Sequence, residues 1–140
     1  MNVTDQLEDD LRLAILRLSR RMRAERAGED VTDGQLSVLF VLWKEGAQTL
    51  SSLAEHERVT PPSMNRTVNA LVDATLVTRD SSPDDGRKVL IQLTPAGLEI
   101  AQETKRRRVA WFARQLATLT PDQRASIDAA TPILRELADS

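Results

Sequence analysis

Through its first 26 residues the chain places Leu7, Leu11, Ala14, Leu18 and Met22 at steps of four, three, four and four, the spacing of one face of an α-helix. Residues 5–26 therefore read as an amphipathic helix with Thr4 as its N-cap. Leu13, Ile15 and Leu16 widen the stripe, and a helix apolar on more than one side needs more than one neighbour to cover it. A second helix is predicted over 33–45. Thr32 and Gln35 have capping-box spacing, Leu36, Leu39, Phe40 and Trp43 mark the buried face, and Gly46 suits a left-handed terminating position. A two-turn helix follows, capped by Thr49 or Ser51, with Leu53 and Ala54 inward. The next is capped by Thr60, carries Pro61 where a missing N–H is harmless, and runs to about Ala74. Two short helices joined by a turn of a few residues make a helix-turn-helix.

The period then changes to two. In "LVTRDSS" Val77 and Arg79 alternate on one side, and in "KVLIQLT" Val89, Ile91 and Leu93 do the same. Between them, Pro83-Asp84-Asp85-Gly86 is a turn signal, with proline presetting φ and glycine free to take positive φ. The prediction is a β-hairpin with a long tip that must lean on the preceding helices, because a lone hairpin is marginal in water. Helical spacing returns after Thr94 and Pro95 with Leu98, Ala101, Val109, Phe112 and Leu116, to about residue 118. Thr120, Pro121 and Gln123 start a last helix using Ile127, Ile133, Leu134 and Leu137, which Pro132 should kink or interrupt. The fold class is mainly α with a small β-hairpin.

A length of 140 residues suits one folding unit. The chain has no cysteine and one histidine, His56. That composition removes disulfides and zinc-cysteine sites, makes the cytoplasm the natural compartment, and leaves no reason to expect a metal or cofactor. The N-terminus opens with acids rather than a signal peptide's basic start, and no apolar run is long enough to span a membrane. The net charge of −2 argues against a general polyanion binder. Residues 58–88 nonetheless carry 5 basic and 4 acidic side chains, against 7 and 11 in residues 1–57.

Projected at about 100° per residue, the helix after Thr60 gathers Met64, Thr67, Val68, Leu71 and Val72 on one side. Pro62, Arg66, Asn69 and Asp73 centre the other, flanked by Ser63, Asn65 and Ala70. Asparagine, serine and threonine are weak helix formers that an ordinary solvated face avoids. Their presence there points to a contacting surface.

The order of elements, with "LSSLAEHERVTPPSMNRTVNALVDATLVTRD" and "DDGRKVLIQLTPAG", resembles the MarR family of winged helix-turn-helix transcriptional regulators. Asp85-Gly86-Arg87 fits that family's Asp-x-Arg wing motif, followed at its spacing by Leu93-Thr94-Pro95-Ala96-Gly97. Two departures stand out: Arg58 and Thr75 occupy turn positions where the family often has glycine. The resemblance implies a single MarR-type domain, 1–140. Residues 33–94 would form its DNA-binding lobe and residues 1–30 and 95–140 its dimerisation helices. It also implies a homodimer gripping double-stranded DNA, a pseudo-palindromic operator read by two-fold symmetry, repression, and release by a small aromatic, anionic effector whose pocket residues the sequence does not reveal. Leu7, Leu11, Trp111, Phe112, Leu116, Ile127 and Leu134 are then the dimerisation residues.

The physics of DNA reading distributes the remaining roles. A major groove admits one helix, and Arg66 can pair with guanine, Asn65 or Asn69 with adenine. Pro62 lies on the same face, and Thr60 and Ser63 at the helix N-terminus can hold a phosphate. On the wing, Arg87 suits the narrow, electronegative minor groove and Lys88 a phosphate, with Gly86 in the turn and Asp85 orienting a neighbouring arginine or the turn backbone. The arginines of the first helix and the run Lys105 to Arg108 read as solvated faces or dimer ion pairs, and Trp43, Trp111 and Phe112 as core and interface. An enzyme is disfavoured, because His56 beside Glu55 and Glu57 has no accompanying catalytic motif. A winged-helix protein-interaction module without DNA binding is the alternative. It would expose apolar anchors where this chain places Asn and Arg.

Overall fold

The computed structural model describes residues 3–140, the side chain of Thr4 excepted. Six helices and one hairpin follow in order: α1 Val3–Arg23, α2 Asp33–Glu45, α3 Leu50–Glu57, α4 Pro61–Asp73, β1 Val77–Ser81, β2 Val89–Leu93, α5 Pro95–Ala117 and α6 Pro121–Ala138. α1 stops three residues short of the expected Arg26 and already runs from Val3, so the cap assigned to Thr4 falls outside the described side chains. The capping boxes of α2 and α6 form as their spacing predicts, Thr32 with Gln35 and Thr120 with Gln123. Thr49, not Ser51, caps α3.

The core gathers around α2. Leu36, Val38, Leu39 and Leu42 meet Leu53 and Ala54 of α3, Met64, Val68 and Leu71 of α4, Val77 and Ile91 of the hairpin, and Ala101 of α5. Each large aliphatic side chain removed from water contributes about 1.5–3 kcal/mol, so this cluster fixes α3, α4 and the hairpin relative to one another. In the hairpin, Val77 pairs with Leu93, Arg79 with Ile91 and Ser81 with Val89. These residues share one face, with Val77 and Ile91 buried and Val89 exposed beyond the reach of the helices.

A third strand segment was not legible in the sequence. Gln48, between α2 and α3, exchanges both backbone hydrogen bonds with Ile91: its N–H donates to Ile91 O at 3.0 Å and its C=O accepts from Ile91 N at 2.7 Å. The hairpin is thereby stitched to the entry of the helix-turn-helix.

Both glycine departures adopt the left-handed conformation. Arg58 has φ 54° and Thr75 φ 60°. In each case the helix ends with paired bonds: Arg58 N–H to Glu55 O and Val59 N–H to Ala54 O, then Thr75 N–H to Val72 O and Leu76 N–H to Leu71 O. This is the Schellman arrangement with a side chain where glycine is usual. A β-branched residue is the more strained occupant. Thr75→Gly is therefore expected to stabilise the protein by about 0.5–1 kcal/mol, the relieved strain exceeding glycine's added unfolded-state entropy. A urea midpoint that does not rise would count against stored strain.

Three expectations need correction. Gly46 has positive φ, 82°, but ψ of −166°, so it is not left-handed helical. Gly86 is not among the positive-φ residues, and the wing tip turns without that freedom. Pro132 lies inside α6 without interrupting it. Nearby, the Thr131 hydroxyl donates to Ile127 O at 2.7 Å.

The cationic run on α5 is structural in part. Arg107 donates to Arg26 O at 2.8 Å, Arg108 to Glu25 O at 3.1 Å, and the fully buried Thr104 hydroxyl accepts from Ala27 N–H at 3.1 Å. These bonds anchor the α1–α2 connection on α5. Hydrogen bonds from Arg107 first, then Arg106, hold the Glu103 carboxyl below its ordinary pKa.

Candidate nucleic-acid interface

The helix-turn-helix consists of α3 and α4, joined through Arg58, Val59 and Thr60. α4 begins where it does because Thr60 is extended and its Oγ1 accepts from Ser63 N–H at 3.3 Å, while Pro61 and Pro62 occupy the first turn. Met64, Val68 and Leu71 anchor the inner face, which leaves Pro62, Arg66 and Asn69 exposed, with Ser63 and Asn65 half-buried beside them. The Arg66 guanidinium makes no hydrogen bond or ion pair with any described residue and extends from the helix as a free fork of donors. Thr60 keeps its hydroxyl proton to donate while it caps.

The wing tip is ordered by its own polar groups. Ser82 N–H donates to Lys88 O at 2.8 Å and Lys88 N–H to Asp85 O at 3.0 Å. The Ser82 hydroxyl accepts from the N–H groups of Asp84 and Asp85. The Asp85 carboxylate accepts from Arg87 N–H at 3.0 Å, so this acid is turned toward the tip's backbone. The side chains of Arg87 and Lys88 are exposed and have no acid partner among the described residues.

Sequence reasoning missed Arg79. It sits on β1 opposite Ile91, on the helix-facing side of the hairpin. One of its terminal nitrogens, Nη2, donates to Asn65 Oδ1 at 3.0 Å and to Asn69 Oδ1 at 2.7 Å. Wing and recognition helix are thus bonded through the two side chains assigned to adenine reading. The available signal was its phase: Arg79 alternates with Val77, on the face a strand turns to the core.

Comparison with known proteins agrees with this architecture. The model of the MarR family matches residues 31–89, the span from the start of α2 to the start of β2. The uncharacterized HTH-type transcriptional regulator Mb0904 of Mycobacterium bovis is 40% identical over 134 residues, covering 96% of this chain and 94% of its own. The chain belongs to the MarR family. As a MarR family protein it is a helix-turn-helix transcriptional regulator, and the HTH-type transcriptional repressor MdtR of Bacillus subtilis is a more distant relative, 28% identical over 144 residues covering all of this chain and 93% of that one. The crystal structure of RV1404 from Mycobacterium tuberculosis superposes with a TM-score of 0.88 at 26% identity, over 100% of this chain and 97% of that one. The mainly helical, hairpin-winged MarR architecture therefore extends through α1, α5 and α6, beyond the matched 31–89 span.

The residues assigned to dimerisation lie on those outer helices. Leu7, Leu11, Ile127 and Leu134 are exposed, Phe112 and Leu116 half-buried, and Trp111 already buried within the chain, edge-on to Phe112 at 4.9 Å. Ile15, Leu18 and Met22 of α1 face Leu134 and Leu137 of α6 across an apolar groove of about 520 Å³. No described residue of α6 is buried.

Proposed function

We propose that the protein is a homodimeric repressor that binds a two-fold symmetric operator in double-stranded DNA. Residues 33–94 act as the DNA-binding lobe and residues 1–30 and 95–140 as the dimerisation lobe. The observation that carries this reading is the outer face of α4: Arg66 is exposed and unpaired among the described residues, beside a wing tip whose two cations lack acid partners. α4 enters the major groove, Arg66 reads guanine, Thr60 and Ser63 hold a phosphate, Arg87 enters the minor groove and Lys88 meets the backbone. The repressor name of MdtR supports the direction of control. A regulator of the chromosome works in the cytoplasm.

Dimerisation is supported by surface area. The chain exposes 10,091 Å², whereas a folded monomer of this mass exposes about 7,300 Å². The excess, together with the uncovered apolar faces of α1 and α6, is what a protomer shows without its partner. Sedimentation of the purified protein is expected to give the mass of two chains. A stable single chain would overturn the dimer.

We read the cleft between α2 and α5 as the seat of a small aromatic, anionic effector. It encloses about 370 Å³ and is lined by Phe40, Trp43, Lys44 and Lys105, near the lower end of small-molecule sites. Lys105 Nζ lies 5.4 Å from the Trp43 ring centroid, so cation and aromatic face are already paired where an aromatic anion would sit.

The deciding experiment is selection of bound fragments from the organism's own genomic DNA, with enrichment of sites whose halves are one helical turn apart. A dimer that enriches nothing would instead be a protein-interaction module. Arg87→Ala is expected to weaken specific and nonspecific duplex binding alike, by about tenfold for a lost charged contact, with the dimer intact. Unchanged affinity would remove the wing from the interface.

A further inference from the structure

We propose that Arg79 sets which bases the recognition helix can read, by holding Asn65 and Asn69 with their carbonyls turned inward so that both amides meet the groove as donors. The proposal rests on the reading above that α4 lies in the major groove, and it replaces the adenine assignment of the two asparagines.

The chemistry begins with the donor inventory. A guanidinium has five N–H donors and no acceptor, whereas a primary amide has a carbonyl at one arm and an NH₂ at the other. A nitrogen of Arg79 within 3.0 Å of Asn65 and 2.7 Å of Asn69 can be tolerated only if each asparagine presents its oxygen. Flipping either amide would set N–H against N–H. Arg79 therefore fixes the orientation of both amides, and the two Oδ1 atoms converge on one charged donor. No described residue accepts a hydrogen bond from either Nδ2, so the NH₂ arms are the ends left to engage DNA.

An asparagine reads adenine with both arms, its oxygen accepting from N6 and its nitrogen donating to N7. With one lone pair of each oxygen engaged by a cation and the oxygens turned toward Arg79, the adenine N6 amino group finds its acceptor drawn away and faces amide donors. Guanine offers two adjacent acceptors, O6 and N7, and thymine offers O4. The predicted preference at the positions read by Asn65 and Asn69 is guanine or thymine over adenine. Arg79 is a positioning residue here, since it acts through the two asparagines that its Nη2 holds. Its exposure and its place on a strand already locked by Val77 and Ile91 indicate that replacing it spares the fold.

The test uses the full-length protein on an operator recovered by genomic selection, with every single base-pair substitution in one half-site measured for wild type, Arg79→Ala, Arg79→Lys, Asn65→Ala and Asn69→Ala. The two asparagine variants locate the positions concerned. At those positions wild type should favour guanine or thymine over adenine by about tenfold. Arg79→Ala should abolish that bias, Arg79→Lys should restore part of it by supplying a single cationic donor, and affinity for nonspecific duplex should change less than about twofold. Adenine preference in wild type, or an Arg79→Ala variant that loses affinity uniformly with its base preferences intact, would overturn the proposal. Should Arg79→Ala melt early, the base preference of the folded Arg79→Lys variant and of wild type decides. Failure of wild type to bind any duplex is a different result, because it would sink the DNA-binding reading itself.

Discussion

Raising the salt concentration from 50 to 200 mM is expected to weaken the protein's hold on operator DNA by roughly 10³–10⁵-fold, the loss that follows when a protein neutralises six to ten phosphates and displaces their counterions. The magnitude is informative because the whole molecule supplies no general attraction: its net charge is −2. Any steep dependence must come from cations placed locally. Arg66, Arg87, Lys88 and the positive end of α4 are the groups that the proposed function sets against DNA, and a dimer would double them. Titrating a labelled operator at several salt concentrations gives the slope of log affinity against log salt. A shallow slope, equivalent to one or two phosphates, would mean that the ridge on α4 and the wing tip do not lie along the backbone together.

Gly97→Ala is expected to destabilise the fold by about 3 kcal/mol, although alanine is the better helix former. Gly97 lies in the first turn of α5, and a Cβ built on it would lie 2.1 Å from the backbone oxygen of Leu76 and 3.1 Å from a methyl of Leu93. The nearest obstacle is main chain and is itself held, since Leu76 O accepts from Thr94 N–H at 3.1 Å. Thr94 in turn donates its hydroxyl to Thr75 O at 2.7 Å and caps Gly97 N–H. The α4–β1 turn and the start of α5 are thus pressed together with no room for a methyl group. A fall in the urea midpoint, with the slope unchanged, checks this. A midpoint that rose in line with helix propensity would mean that the approach relaxes freely.

The same two regions explain what was legible beforehand. Helix starts were readable because threonine caps and first-turn prolines act through bonds within three residues, as at Thr32, Thr60, Thr94 and Thr120. The helix-turn-helix and the hairpin followed from periodicity and a turn signal for the same reason. What escaped was set by residues distant in sequence. Gln48 pairs with Ile91 and Arg79 reaches Asn65 and Asn69 only once α4 and the hairpin have packed, and no local pattern encodes either meeting. Pro132 does not interrupt α6 because its rule concerns one lost bond within a turn, while α6 has capping and the rest of its ladder to hold it. For the candidate site, the outward face of α4 was visible in projection, but which arm of each asparagine is free depended on a strand ten or more residues away.

Ile91 carries a consequence for the kinetics of encounter. Because its N–H and C=O are both taken by Gln48 while its side chain is sealed in the core, the hairpin and the helix-turn-helix are tied together before any encounter, and on the proposed function they would meet a duplex at one separation. Little conformational freedom would then be lost at docking, which would favour fast association with properly spaced grooves and disfavour a duplex whose groove spacing is distorted.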